Sequence, residues 1–192
     1  MSAVRLLVGL GNPGARYEPT RHNVGFWFLD QLAVHQGAGF RAESKFHGLV
    51  SRVQLAGRDI RLLKPATFMN RSGQSVVAVA RYFDLPPQSI LVVHDELDLP
   101  AGAARIKQGG GHAGHNGLRD LINALGNRDF WRLRIGIDRP DHRDQVVDYV
   151  LSRPTRDQEA GMLDALDAAE ACLPDILAGD FQKAMNRLHA GR

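Results

Sequence analysis

The chain has 192 residues, 44% of them hydrophobic, enough to bury one sizeable core and short for two independent ones. Its net charge of +3 is uneven: residues 1 to 150 hold 19 Lys/Arg against 14 Asp/Glu, while the remainder is slightly acidic, so a polyanionic partner is permitted and not required. A lone cysteine, Cys172, excludes an internal disulfide, and the absence of a leader or of any run of about 20 apolar residues argues against secretion and membrane spanning, leaving a cytoplasmic setting.

The apolar run Val4 to Leu10 reads as a first strand, and Gly9-Leu10-Gly11-Asn12-Pro13-Gly14 follows it in the G-x-G-x-x-G pattern of a dinucleotide site. That reading fails on spacing. Ala-Arg-Tyr-Glu-Pro-Thr intervenes before any helix, Pro19 disfavours a helical Glu18, and Asp30, the nearest acid at the right distance, lies inside a helical pattern. A tight Asn12-Pro13-Gly14 turn at the carboxyl end of a strand accounts for the motif better, and would leave Asn12 at the mouth of a cleft.

Thr20-Arg21-His22-Asn23 opens a helix over 24–36, with Asn23 as its expected cap. Leu49 to Leu55 and Ile60 to Leu63 are strand-length, joined by a hairpin turn at Ala56-Gly57-Arg58-Asp59. Lys64-Pro65-Ala66-Thr67-Phe68-Met69-Asn70 then leads into a helix over 74–83; Phe68 and Met69 either close the core or form an apolar platform beside Asn70. The strand Ile90 to Val93 runs into His94-Asp95-Glu96-Leu97-Asp98, where a carboxylate beside an imidazole would fix its tautomer, though three acids in four residues also fit a solvated loop.

Arg105 to Gly117 reads as a strand end, a glycine loop and a helix start over 117–125, with Asn116 either capping that helix or bonding a ligand. Leu133 to Ile137 is a further strand. In the tail, Thr155 and Gln158 form a capping box for a helix whose Met162, Leu163, Leu166 and Ala169 share a face, Pro174 is expected to end or kink it, and Asp180 caps a last helix. Strand and helix alternate, which predicts an α/β fold: a single-domain sandwich over residues 1–192, with a mixed, mostly parallel twisted sheet and helices on both faces.

No nucleophile elbow is present and Cys172 has no cation in sequence to activate it, so attack by activated water is the favoured chemistry. A zinc hydrolase built from Asp95, His112 and His115 competes, but no dense ligand motif supports it, and neither metal nor cofactor is expected.

Taken together, Gly11 to Gly14, Tyr17, Thr20 to Asn23, Lys64-Pro65, Thr67 to Gly73, His94-Asp95, Leu99-Pro100, Gly109 to His112, His115 to Leu118, Arg132 to Gly136 and Asp148 to Leu151 resemble the bacterial peptidyl-tRNA hydrolase family, in family order over nearly the whole chain. The resemblance implies hydrolysis of the ester between a peptide and the 3′-terminal ribose of tRNA, recycling tRNA for translation. It makes His22 the base held by Asp95. It gives Asn12, Asn70 and Asn116 the peptide or terminal nucleotide, lets Tyr17, Phe68 and Met69 line the site, and sends His115, Lys107 and Arg134 to acceptor-stem phosphates of a monomeric enzyme. Asp138 and Pro154 stand where the family pattern leads one to expect Gly and an aromatic residue, which bears on local loop shape.

Overall fold

The computed structural model describes residues 2–190. Seven strands form one sheet: β1 (Leu6–Gly9), β2 (Arg41–Glu43), β3 (Gly48–Leu55), β4 (Arg58–Pro65), β5 (Ile90–Glu96), β6 (Ala104–Gln108) and β7 (Trp131–Gly136), in the order β2-β3-β4-β1-β5-β7-β6. The four central strands β4, β1, β5 and β7 are parallel, and antiparallel strands flank them on both sides. The β3–β4 hairpin turns on Ala56-Gly57, both with positive φ (49° and 71°), the twist that a two-residue hairpin needs.

Six helices cover the sheet: α1 (Val24–His35), α2 (Ser72–Tyr82), α3 (Asn116–Leu125), α4 (Val146–Val150), α5 (Arg156–Leu177) and α6 (Phe181–Ala190). On one face Phe28 and Leu32 of α1, Met162, Leu166 and Ala169 of α5 and Ala184 of α6 pack with Leu7, Leu91 and Leu133. On the other, Val76 and Val79 of α2 and Leu118 and Leu121 of α3 pack with Val8, Val92 and Phe130. Alternation of inward side chains along each strand feeds both cores, so β1 and the first four residues of β5, Ile90 to Val93, are apolar throughout.

Several expectations meet their limits here. The strand-length apolar runs omit β2, three residues of Arg-Ala-Glu at an exposed edge, and the five-residue α4, because neither is long enough to show a period. Helix α5 runs through Pro174 to Leu177 instead of ending there; buried Leu173, Ile176 and Leu177 hold the last turn by packing despite the missing N–H. Leu163 lies 43% exposed, outside the apolar face expected for it. Thr155 and Gln158 do form their capping box, and Asp180 accepts from the Lys183 N–H.

Gly9 at the end of β1 and Gly25 at the start of α1 serve packing. A Cβ on Gly9 would lie 2.3 Å from the Gly25 carbonyl oxygen, and one on Gly25 would lie 2.4 Å from the Val93 oxygen and 2.6 Å from the Leu10 nitrogen. Helix α1 therefore enters in backbone contact with β1 and β5, which sets where the turn before it sits. Gly25→Ala should destabilise the protein by about 1–3 kcal/mol through forced displacement of this entry. Denaturant unfolding measures it, and an unchanged midpoint would show that the contact can relax freely.

Candidate active site

The cleft opens at the carboxyl ends of β1 and β5. His22 sits in a single 3-10 turn, Arg21–Asn23, immediately before α1, and is 7% exposed. Its Nδ1 lies 2.9 Å from both oxygens of Asp95, the sixth residue of β5. Asp95 is itself 3% exposed, so this carboxylate accepts from protein and not from bulk water. With Nδ1–H donating to Asp95, Nε2 is left as the nitrogen that can accept a proton from the cleft.

A second imidazole grips the same carboxylate. His115 Nε2 lies 2.9 Å from Asp95 Oδ1, and its Nδ1 accepts from the N–H groups of Gly117 (3.1 Å) and Leu118 (3.3 Å) at the start of α3. Those two donors assign the Nε2–H tautomer. His115 is thus the cap of α3, and Asn116 its first residue, one position earlier than a helix over 117–125 capped by Asn116. The expected contact between His115 and a tRNA phosphate is also displaced: both ring nitrogens are spent internally, because the helix amides and the buried carboxylate compete for them successfully.

Burial alone would raise the Asp95 carboxyl, but the charges of His22 and His115 and their hydrogen bonds outweigh it and hold the group below the usual carboxylate range. For His22 burial works against the imidazolium, and attraction to Asp95 together with its hydrogen bond leaves the pKa above the ordinary histidine value. Beneath them His94 is fully enclosed, its Nδ1 donating to the Asp95 carbonyl; burial, with His115 next, pushes it to about 3. It is neutral at physiological pH.

Asn23 was expected to cap α1 and does not. Its Oδ1 accepts from Asn12 N–H and its Nδ2 donates to the Asn12 carbonyl, each at 2.9 Å, clamping the post-β1 turn to the turn that carries His22. Asn12 Oδ1 in turn accepts from Met69 N–H at 2.7 Å. Since that oxygen is occupied, Asn12 offers its Nδ2 donors to the cleft. Asn–Pro–Gly spacing cannot reveal this, because the partners are 11 and 57 residues away.

The cleft, about 680 Å³, gathers nine of the expected residues: Asn12, Tyr17, His22, Phe68, Met69, Asn70, Asp95, His115 and Asn116. Met69 is buried, while Phe68 is 58% exposed and meets the Tyr17 ring edge-on at 6.3 Å, forming an apolar lip. Lys107 and Arg134 lie outside it on β6 and β7. Sequence reasoning did not place in the site Leu97, Arg139, Arg143 or the wall contributed by α4 and the residue after it (Val146, Val147, Val150, Leu151), although Val150 and Leu151 belong to a segment that carries the family resemblance.

The three-ligand set of the zinc alternative is not assembled as expected. His112 Nδ1 accepts from Gly114 N–H, and it is His22, Asp95 and His115 whose donor atoms lie within 4.8 Å of one another. Both rings are hydrogen-bonded to the carboxylate between them, an arrangement suited to orienting a base. Asp138 adopts φ 60°, the left-handed conformation that a glycine would supply, and its carboxylate secures the turn by accepting from Ala101 N–H (2.9 Å) and Gln158 Nε2 (3.1 Å). The departure at Asp138 therefore preserves the loop; Pro154 is buried.

A sequence profile described as peptidyl-tRNA hydrolase matches residues 6–192. The chain belongs to the peptidyl-tRNA hydrolase family. It is 54% identical to the peptidyl-tRNA hydrolase of Alkalilimnicola ehrlichii over 97% of this chain and 95% of that protein, and 54% identical to that of Methylobacillus flagellatus over 98% of each. The crystal structure of peptidyl-tRNA hydrolase from Acinetobacter baumannii matches with a TM-score of 0.97 at 45% identity, covering 100% of this chain and 97% of that one. The mixed, mostly parallel sheet with helices on both faces is the fold of this family.

Titration of the pair is the direct check on its electrostatics. In Asp95→Asn the burial penalty on the His22 imidazolium remains while the attraction that outweighs it is lost, so the His22 pKa should move down. NMR titration of the His22 ring should show a lower midpoint than in the parent protein; an equal or higher midpoint would mean that Asp95 is not what raises it.

Proposed function

We propose that the protein hydrolyses the ester joining a peptide to the 3′-terminal ribose of tRNA, releasing free peptide and recycled tRNA, with His22 as general base. The observation that carries this reading is the buried Asp95–His22 pair in a cleft that is also lined by the amides Asn12, Asn70 and Asn116. A water bound at His22 Nε2 attacks the ester carbonyl carbon as its proton passes to Nε2. Asp95 stabilises the imidazolium so formed, and the Asn12 Nδ2 donors face the developing oxyanion. As the acyl carbon–oxygen bond breaks, His22 returns its proton to the departing ribose oxygen, and the enzyme is unchanged.

Asn70 and Asn116 bond the peptide backbone or the terminal nucleotide, and amides do so without regard to side chains, so many peptides are accepted. Tyr17, Phe68 and Met69 provide the apolar surface beside them. The tRNA body is held elsewhere. Strand register sets Arg105 opposite Arg134 and Lys107 opposite Arg132, a ladder of like charges that costs stability unless an anion rests on it. Arg132 holds the glycine loop through the carbonyls of Gly110 (2.6 Å) and Gly111 (2.5 Å), and Arg134 reaches Glu96 at 3.2 Å, while Lys107 is exposed and folds toward Gly110. Acceptor-stem phosphates fit this face.

The enzyme works as one domain and as a monomer in the cytoplasm, without metal. Among the described residues no helix is long and apolar enough to cross a membrane.

His22→Ala should lower turnover of N-acetyl-aminoacyl-tRNA by about 10²- to 10⁴-fold with tRNA affinity retained, and chelator should leave the parent rate unchanged. A folded variant with near-normal turnover would remove His22 from the mechanism, and chelator inhibition would restore the metal alternative. Lys107→Ala should weaken tRNA binding and flatten its dependence on salt by roughly 0.7 to 0.9 in the log–log slope, with a minimal peptide–nucleotide ester cut at the parent rate. Overlapping salt slopes would move the phosphate site off β6.

A further inference from the structure

Arg21 precedes the catalytic histidine and points away from it. Its guanidinium is buried, the whole residue 5% exposed, and it forms no ion pair with any carboxylate among the described residues. Its contacts are neutral and all lie 128 to 137 residues away. Nη1 donates to the carbonyl of Tyr149 (3.0 Å) and to the hydroxyl of Ser152 (2.5 Å), and Nη2 donates to Gln158 Oε1 (2.7 Å). The guanidinium carbon stands 3.9 Å from the centre of the Tyr149 ring, and the Arg21 N–H donates to the Ser152 carbonyl at 3.1 Å.

A buried cation surrounded only by dipoles is expensive, and here Nε is left without a partner, so the segment that meets Nη1 and Nη2 is held firmly in return. That segment is α4 and the turn after it. Five residues are too few to hold a helix by themselves, and of Val146, Val147, Val150 and Leu151 only Val150 is buried; Val147 is 65% exposed. All four line the cleft. Gln158 completes the brace, donating from Nε2 to the Tyr149 hydroxyl and to Asp138, each at 3.1 Å, while the Tyr149 hydroxyl donates to the Ile137 carbonyl.

We propose that Arg21 is a positioning residue that fixes the apolar α4 wall relative to His22, and that this wall receives the side chain of the peptide residue esterified to tRNA. The proposal rests on the hydrolase reading of the cleft. The enzyme then reads its substrate with two independent surfaces, cations on β6 and β7 for the nucleic acid and a braced apolar wall for the peptide. Arg21 touches neither substrate nor reacting atoms, and its loss leaves the Asp95–His22 pair intact, so its effect falls on the affinity for apolar peptides.

The test compares Arg21→Met and Arg21→Lys with the parent on N-acetyl-leucyl-tRNA and N-acetyl-glycyl-tRNA. Arg21→Met should raise KM for the leucyl ester about tenfold and for the glycyl ester no more than about twofold, with kcat within about threefold and an unmoved acid limb of the pH profile. Arg21→Lys keeps the charge but lacks the fork of donors, and should fall between. Hydrogen exchange gives a second readout that needs no turnover: amides of residues 147–152 should exchange faster in the variants while those of α1 do not. If Arg21→Met does not fold, Gln158→Ala, which removes the Nη2 partner, should show the same selectivity at smaller size. Equal KM increases for both esters, a loss confined to kcat, or unchanged exchange at 147–152 would each overturn the proposal. A parent protein that cleaves neither ester would instead refute the hydrolase reading, and the exchange measurement would still decide the brace.

Discussion

Everything at the cleft depends on one carboxylate taken out of water. A buried Asp95 is costly unless its oxygens are met, and two imidazoles from distant segments meet them. The debt is settled at the carboxyl end of a central strand, where neighbouring strands and helix entrances converge. Because His115 also caps α3, the same carboxylate links the sheet, the turn before α1 and the start of α3. A change in its position would be felt by all three.

Around that anchor the polar groups form a chain of commitments that leaves chosen atoms free. Asn23 spends both ends of its amide on the Asn12 backbone; Asn12 spends its oxygen on Met69; His22 spends Nδ1 on Asp95. What remains facing the cleft is an unpaired ring nitrogen and an amide donor pair, the two groups that the proposed water attack on an ester would use. Preorganisation here is subtraction: each internal hydrogen bond removes an alternative orientation.

The charge distribution follows a similar economy. The cation ladder of β6 and β7 lies outside the cleft, so the nucleic-acid contact proposed for it would not place positive charge beside His22, where it would oppose protonation of the ring. The surface proposed to meet the peptide combines Tyr17, Phe68 and Met69 with the amides of Asn12, Asn70 and Asn116, which under that proposal would tolerate varied chains. Asp138 connects this side to the fold, holding a left-handed turn with its own side chain and accepting a hydrogen bond from Gln158, the residue that braces Arg21.

The sequence by itself determined the elements with a clear period and the residues with distinctive chemistry. Apolar runs marked β1, β3, β4, β5 and β7, three-and-four spacing marked α1, α2 and α3, and His22, Asp95 and the asparagines declared themselves by type and by resemblance. These signals are local, carried by neighbours along the chain. Tertiary structure alone decided which polar group answers which: that Asn23 clamps Asn12 and does not cap a helix, that His115 turns inward to Asp95, that α5 survives Pro174, and that Arg21 reaches across to Tyr149, Ser152 and Gln158. Hydrogen bonds between residues 11 to 137 positions apart leave no periodic trace in the sequence, and short elements such as β2 and α4 exist only because the surrounding fold satisfies them. A side chain's partner is fixed by the competition among all groups that folding brings within reach, and that competition has no representation until the chain is folded.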